Sequence, residues 1–193
     1  MMLRALLPTL ALTLFSLSGC VNLTPQPDRT QVYLLAAGVS PPSSVSGLPP
    51  SYVARVELPG YLEGTRIYHR EAGGKLSSLA GVRWAEALSA ALPQALSMHL
   101  QATEKTQVRA YYPSPRGDSD MAIVSVQFER FSARPDGWVE VIARWQVAHP
   151  DGATDSGRYV APDMQWDGSE PTAYVALLDR ALAELAETIA GAL

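Results

Sequence analysis

The chain has 193 residues, 47% of them hydrophobic and 18% charged, which is ordinary for one globular domain. Its formal net charge is −4, from 15 basic and 19 acidic residues. A nucleic-acid-binding protein needs a clustered basic surface, so this balance argues against nucleic acid as a partner.

The first twenty residues have the pattern of an export signal. Arg4 provides a positive start, and an apolar run follows over residues 5–17. That run is shorter than the roughly 20 apolar residues that a permanent membrane helix needs. We therefore expect residues 1–19 to be a cleaved signal peptide rather than a transmembrane anchor.

The signal ends at Leu17-Ser18-Gly19-Cys20, an apolar residue, two small residues and a cysteine, and this resembles the bacterial lipobox. Cys20 is the only cysteine in the chain, whereas a secreted protein that uses disulfides has an even number. We expect Cys20 to carry a covalent lipid, with residues 20–30 as a tether and residues 31–193 as a single domain. A plain secretory signal with an incidental cysteine is the alternative.

Three short apolar runs predict strands in the first half of the domain: residues 31–35, 53–58 and 66–70. A loop rich in proline and serine, residues 39–51, separates the first two runs. Pro59-Gly60 interrupts the chain after the second run, and Gly73-Gly74 turns it after the third. This half therefore predicts strands joined by turns that lead into a helix.

The helix is predicted from about residue 81 or 82 to residue 102, because apolar side chains recur there at three- and four-residue spacing. They are Trp84, Leu88, Leu92, Ala95, Leu96 and Leu100. Trp84, near the expected start, either caps the core or contacts a ligand.

The second half of the domain is predicted to return to strands, beginning with residues 107–112. Residues 121–131 and 139–147 alternate apolar and polar side chains around Arg134-Pro135-Asp136-Gly137, which is typical of a hairpin. Residues 154–160 predict an edge strand.

A terminal helix is predicted over residues 170–190, with Ser169 as its N-cap and Pro171 in its first turn. Each predicted helix has one apolar stripe, and the hairpin strands have one apolar face. The predicted fold is therefore α+β, an antiparallel or mixed sheet with two long helices packed on one face.

Groups suited to catalysis are scarce in the sequence. It has no Gly-x-Ser-x-Gly elbow, no His-Glu-x-x-His pair, no P-loop and no dinucleotide glycine pattern. His69, His99 and His149 do not have the short spacing typical of metal ligands. We predict a protein that is not an enzyme and has no cofactor or metal, apart from the lipid at Cys20. A periplasmic hydrolase with a dispersed triad is a weaker alternative.

The loop Pro59-Gly60-Tyr61-Leu62 is the candidate contact site, together with Arg66 and Trp84. A tyrosine and a leucine in a loop present apolar area, and tyrosine is enriched at interfaces. Either the loop meets a partner, such as the next copy in a homo-oligomeric ring, or its side chains fold over Trp84 and cap the core.

Residues 53–100, together with the lipobox, resemble the ABC-type transport auxiliary lipoproteins, the family that includes the lipoprotein of the paraquat-inducible operon. The motifs that carry the resemblance are Val56-Glu57-Leu58-Pro59-Gly60-Tyr61-Leu62, Arg66-Ile67, Arg70, Leu76 and Arg83-Trp84-Ala85-Glu86-Ala87-Leu88. Glu63-Gly64-Thr65 stands where the family commonly has Asp-Arg-Pro, and Ala87 stands where proline is frequent. These departures weaken the transfer of loop-specific contacts but not of the fold.

The resemblance implies an envelope lipoprotein that assists an ABC permease and ATPase together with MCE-type proteins. Such systems move phospholipid or other hydrophobic molecules between the inner and outer membranes. Val21 follows Cys20 where an inner-membrane lipoprotein commonly has aspartate, so we expect an outer-membrane anchor with the domain facing the periplasm. The alternative is an outer-membrane lipoprotein that docks envelope proteins without contacting lipid cargo.

Overall fold

The computed structural model describes residues 28–40, 42, 46–117 and 119–193 of the chain. The predicted signal peptide, Cys20 and the first part of the predicted tether lie outside the described residues, so these boundaries stay predictions. The described residues form one mixed eight-stranded sheet and two long helices, and the α+β class is confirmed.

The elements follow one another as four strands, one helix, four strands and one helix. The strands are β1 (Gln31–Tyr33), β2 (Pro50–Val53), β3 (Arg66–Arg70), β4 (Leu76–Trp84), β5 (Gln107–Tyr111), β6 (Ala122–Ala133), β7 (Val139–Ala148) and β8 (Thr154–Val160). The helices are α1 (Leu88–Ala102) and α2 (Pro171–Ala190). The predicted hairpin, the edge strand and the strand over residues 66–70 are confirmed.

Strand β6 is the axis of the sheet. On one side it pairs antiparallel with β7 from Ile123 to Ala133, and β7 in turn pairs with β8. On its other side two separate branches run parallel to it: β2 lies beside its first residues and β3 beside Ala133. The first branch ends in β5, and the second continues through β4 to β1. The sheet is therefore forked along this side of β6.

Both helices pack on the same face of the sheet, as predicted. The helices contact each other, α1 lies against β2 and β5, and α2 lies against β6 and β7. Along β6, Val124, Val126 and Phe128 are buried, whereas Ser125 and Gln127 between them are exposed. This alternation is typical of a sheet with one covered and one solvated side. We call the solvated side the open face.

The first helix begins at Leu88, so the prediction that it begins at residue 81 or 82 and carries Trp84 is wrong. Trp84 ends β4, where it is the register partner of Tyr33 in β1. Its backbone N–H donates to the Thr65 carbonyl oxygen at 2.8 Å. Trp84 lies four residues before Leu88, which is a helical spacing. For this reason the apolar pattern of the helix extended in the prediction to a residue that belongs to a strand. Pairing with residues elsewhere in the chain overrides such a local pattern.

The bounds of the first two strands also differ from the prediction. β1 ends at Tyr33, two residues earlier than expected. β2 occupies Pro50–Val53, so it lies largely inside the predicted loop over residues 39–51 and ends where the strand predicted over residues 53–58 was expected to begin. Proline is tolerated at the first position of a strand, which explains why a proline-rich stretch can open one. Beyond Val53, Glu57 forms an isolated bridge to Gln127 of β6.

The second helix begins at Pro171, one residue after the predicted start at residue 170, and Ser169 is not its N-cap. Glu170 occupies that position and makes no side-chain capping bond. The Ser169 hydroxyl donates instead to the Asp167 carboxylate at 2.7 Å. A local turn therefore takes the hydroxyl that the sequence pattern assigned to the helix.

Candidate functional site

The predicted contact loop folds into a short turn. Gly60–Leu62 forms one 3-10 turn, in which the Leu62 N–H donates to the Pro59 carbonyl oxygen at 2.8 Å. The Leu62 side chain is 2% exposed and belongs to the hydrophobic core. Tyr61 is half-buried, and its ring meets Tyr68 of β3 edge to face with the centroids 6.2 Å apart. Leu62 is thus part of the core, and Tyr61 packs against the core while remaining partly exposed.

Trp84 and Arg66 belong to the strands beside this loop. The Trp84 side chain is 2% exposed, whereas Arg66 is exposed at the start of β3. The segment after the loop is tied to the same region, because the Leu88 N–H donates to the Gly64 carbonyl oxygen at 3.2 Å. The structure thus places the predicted contact residues in one region, except for Cys20, which lies outside the described residues.

We expect Tyr61→Ala to lower the free energy of unfolding by about 1 kcal/mol, because it removes one aromatic edge contact from a half-buried position. Urea unfolding measures this loss. Tyr61→Phe retains the ring and serves as the control, with a loss near zero. A loss above about 3 kcal/mol would mean that Tyr61 is a core residue like Leu62.

A cavity of 180 Å³ lies behind Trp84, between the chain after β1 and helix α1. Leu35 borders it on one side, and Ala91, Ala95 and Met98 of α1 border it on the other. The short alanine side chains of the helix leave this space open. The cavity has the size of a small ring, and Glu86 and Gln94 also border it.

The open face carries a charge cluster that no sequence motif indicated. Arg144 of β7 and Arg158 of β8 are register partners, so two positive side chains stand directly opposite each other. Such a pair is unfavourable unless an anion lies between its members. Glu129 provides that anion: its carboxylate accepts from Arg144 Nε at 2.8 Å and from Arg158 Nη2 at 3.0 Å.

Glu129 lies at a β-bulge, where the register between β6 and β7 shifts between Phe128 and Arg130. A bulge redirects a side chain that regular pairing would hold elsewhere. Arg130, the next residue, joins Arg70 of β3 in a second cluster, in which both guanidinium groups contact the Glu140 carboxylate. Each cluster shares one carboxylate between two arginines and therefore keeps one positive charge.

A groove of 550 Å³ lies beside the first cluster on the open face. Its borders are Arg55 and Glu57, on the chain between β2 and β3, and Arg144 and Arg158. The Arg55 guanidinium lies 5.9 Å from the ring centroid of Tyr112. Guanidinium groups are the preferred partners of carboxylates in proteins, so this groove suits an acidic ligand.

We expect the Glu129 carboxyl group to titrate near pH 2. Hydrogen bonds from Arg158 and then Arg144 lower its pKa from 4.5 to about 2. Because this folded-state pKa is below the unfolded-state value, the contact stabilises the fold above about pH 4.5 and is lost as the pH falls toward 2. Carboxyl NMR titration measures the pKa.

The matched variants for that titration are Arg158→Gln and Arg144→Gln. Both should raise the Glu129 pKa, and Arg158→Gln should raise it more, because its hydrogen bond is the larger cause of the shift. An unchanged Glu129 pKa in Arg158→Gln would contradict the bridging geometry.

The three histidines all make structural contacts. His99 of α1 hydrogen-bonds to Asp179 of α2 at 3.1 Å, and His149 hydrogen-bonds to Asp155 at 3.0 Å. His69 packs against Trp166 with ring centroids 6.0 Å apart. In the described part of the chain, no group of three potential metal ligands is found. Neither described helix has the length and apolar character needed to cross a membrane.

The family model described as ABC-type transport auxiliary lipoprotein component matches residues 33–190 of the sequence. Among solved structures, the chain is similar to an uncharacterized protein at 21% identity and TM-score 0.67, over 83% of this chain and 96% of that chain. It is also similar to a protein from Xanthomonas campestris at 14% identity and TM-score 0.62, over 82% and 92% of the two chains. Among curated protein sequences, none matches. At these identities the solved structures show a shared fold alone.

Proposed function

Because this chain belongs to the family of ABC-type transport auxiliary lipoprotein components, we propose that it is a non-enzymatic accessory of an ABC transporter that contains MCE-type proteins. In this proposal the system moves phospholipid or other hydrophobic molecules between the inner and outer membranes. The observation that carries it is the family match over residues 33–190, which spans nearly the whole described domain. The family that the sequence motifs resemble and the family whose model matches are the same.

The cavities favour a docking role within such a system. A cavity of about 150 Å³ holds a molecule the size of benzene, so the 180 Å³ beside Trp84 is too small for a phospholipid acyl chain. The 550 Å³ groove on the open face is bordered by Arg55, Arg144 and Arg158, which suit a charged surface. These features support the second candidate function, a lipoprotein that docks envelope proteins without contacting the cargo.

We place the anchor at Cys20, with the domain on the periplasmic side of the outer membrane. Leu17-Ser18-Gly19-Cys20 and the lipoprotein family support the anchor, and Val21 supports outer-membrane sorting. Cys20→Ala should yield an uncleaved or soluble precursor that incorporates no labelled palmitate. Labelled fatty acid on the Cys20→Ala protein would contradict the assignment.

The test of the transport role uses the full-length tagged chain, crosslinked in cells and purified in detergent. Mass spectrometry of the eluate detects proteins and phospholipid in the same sample. MCE-type protein together with enriched phospholipid supports cargo contact, and MCE-type protein without enriched phospholipid supports docking alone. The Cys20→Ala chain is the control for membrane placement. Recovery of neither MCE-type protein nor enriched phospholipid with the parent chain would contradict both forms of the proposal.

A further inference from the structure

Strand β8 is an open edge of the sheet. It pairs with β7 over its whole length, and no other described strand lies on its outer side. The Ala161 N–H donates to the Val141 carbonyl oxygen, which fixes the hydrogen-bonding phase of this antiparallel ladder. In that phase the backbone groups of Ser156, Arg158 and Val160 point away from β7. An exposed edge of this kind can accept an added strand.

Side chains around this edge combine positive charge with apolar area. Val160 is 54% exposed, and its register partner on the open face is Ile142 of β7. Two positions back along β8, Arg158 stands opposite Arg144. Because alternate residues of a strand share one face, an added strand would present its side chains to this apolar pair and this arginine pair in turn.

The charge of this region is opposite to that of the whole protein. Over β6, β7, β8 and the chain beside them, the charged side chains on the open face are Arg55, Arg70, Arg130, Arg144, Arg158, Glu57, Glu129 and Glu140. This set has a surplus of two positive charges, whereas the chain has a formal net charge of −4. Electrostatic complementarity therefore favours an acidic partner over a partner whose surface carries no excess charge.

The place of β8 in the sheet favours a protein over the anchoring membrane as that partner. β1, the first strand after the tether, lies at the opposite end of the strand order β1-β4-β3-β6-β7-β8. At about 4.8 Å between neighbouring strands, β8 lies roughly 24 Å from β1. The exposed side chains Val32 and Leu34 are at the tether end, so the apolar surface close to the anchor is separate from the arginine clusters.

We propose that β8 and the open face beside it bind an extended acidic segment of another envelope protein, which adds to the sheet as an outer strand. Main-chain hydrogen bonds form at Ser156, Arg158 and Val160. Carboxylates of the segment contact Arg158 and Arg144 without displacing Glu129, and an apolar side chain covers Val160 and Ile142. The proposed function enters only in placing the partner among envelope proteins, since the surface itself is defined by register and charge.

The test uses a labelled synthetic peptide in which every second residue is threonine and the residues between are glutamate and valine in turn. Its fluorescence anisotropy is measured as the full-length protein is added in detergent. We expect binding that weakens with salt, and no binding of the matched peptide with lysine in place of glutamate. Arg144→Gln combined with Arg158→Gln should weaken binding at least about tenfold. The control is Lys105→Gln combined with Arg180→Gln, which removes two positive charges from exposed sites elsewhere and should bind normally.

A second variant tests the added strand itself. Ser156→Pro removes an outward N–H without breaking the β7–β8 ladder, so it should abolish peptide binding while the thermal unfolding temperature stays near that of the parent. Equal binding by Ser156→Pro would overturn the strand addition. Binding of phosphatidylglycerol vesicles that depends on Arg144 and Arg158, with no peptide binding, would overturn the protein partner in favour of a lipid surface. Neither result bears on palmitate at Cys20 or on recovery of MCE-type protein, which test the proposed function.

Discussion

Tyr174→Phe is expected to lower the free energy of unfolding by about 3 kcal/mol and the melting temperature by roughly 6–12 °C. The Tyr174 hydroxyl is fully buried, accepts from the Ala133 N–H at 2.6 Å and donates to the Tyr68 carbonyl oxygen at 2.7 Å. Burial raises the pKa of this phenol, so it stays protonated and able to donate. Phenylalanine leaves both backbone groups without their partner.

The location of these two bonds is as important as their number. Ala133 is the last residue of β6, and His69, which follows Tyr68, is its register partner in β3. Tyr174 therefore joins one branch of the forked sheet to β6 at the point where the strands meet. Urea unfolding with a tryptophan signal and differential scanning calorimetry measure the loss.

The control for this variant is Tyr159→Phe. The Tyr159 hydroxyl makes one long bond, 3.4 Å, to the Glu184 carboxylate, so we expect a loss below about 1 kcal/mol. If Tyr174→Phe and Tyr159→Phe had the same effect, Tyr174 would not have the joining role that its two backbone bonds indicate.

Gly137→Ala is expected to destabilise the fold by about 3 kcal/mol. Gly137 has a φ of 82°, and a Cβ atom there would lie 2.2 Å from the Trp166 carbonyl oxygen. The backbone of Trp166 is also tied to this turn, because its backbone N–H donates to the Gly137 carbonyl oxygen at 2.9 Å. The added methyl group therefore meets a backbone atom of a residue whose own N–H is held by the turn, so relief of the clash strains this hydrogen bond.

Gly152→Ala is the matched control for Gly137→Ala. Gly152 lies in the other hairpin turn with a φ of 91°, but a Cβ atom there would have no other atom within 4 Å. This variant should lose only about 1 kcal/mol, from the backbone conformation alone. The difference between the two melting temperatures isolates the collision with Trp166, and equal melting temperatures would contradict it.

The β6–β7 hairpin could be predicted because its information is local. Asp136-Gly137 permits the turn, and the alternation around it identifies which face is buried. The start of α1 could not, because Trp84 is extended through pairing of β4 with β1 and β3, and these strands are defined by residues outside the helical window. A local period is weaker evidence when the paired partners are elsewhere in the chain.

The pairing of the two arginines in the first cluster could be predicted from the sequence. A turn centred on Asp151 implies that Arg144 stands opposite Arg158, which is the register observed. The position of Glu129 could not be predicted, because it depends on a bulge between Phe128 and Arg130. No turn residue in the sequence indicates this bulge. Exposed charges on separate strands resemble an ordinary solvated surface until the register is known.

The forked sheet also constrains the order in which the domain can form. β2 and β3 lie parallel to β6, which follows them only after β4, α1 and β5 have been made. In the first half of the chain β4 can pair with β1 and β3, but β2 and β3 lack their β6 partner until the second half is present. By contrast, β6, β7 and β8 pair in immediate succession along the chain. Pulse-labelled hydrogen exchange during refolding should accordingly protect Val147 in the β6–β7–β8 meander before Val53 in β2.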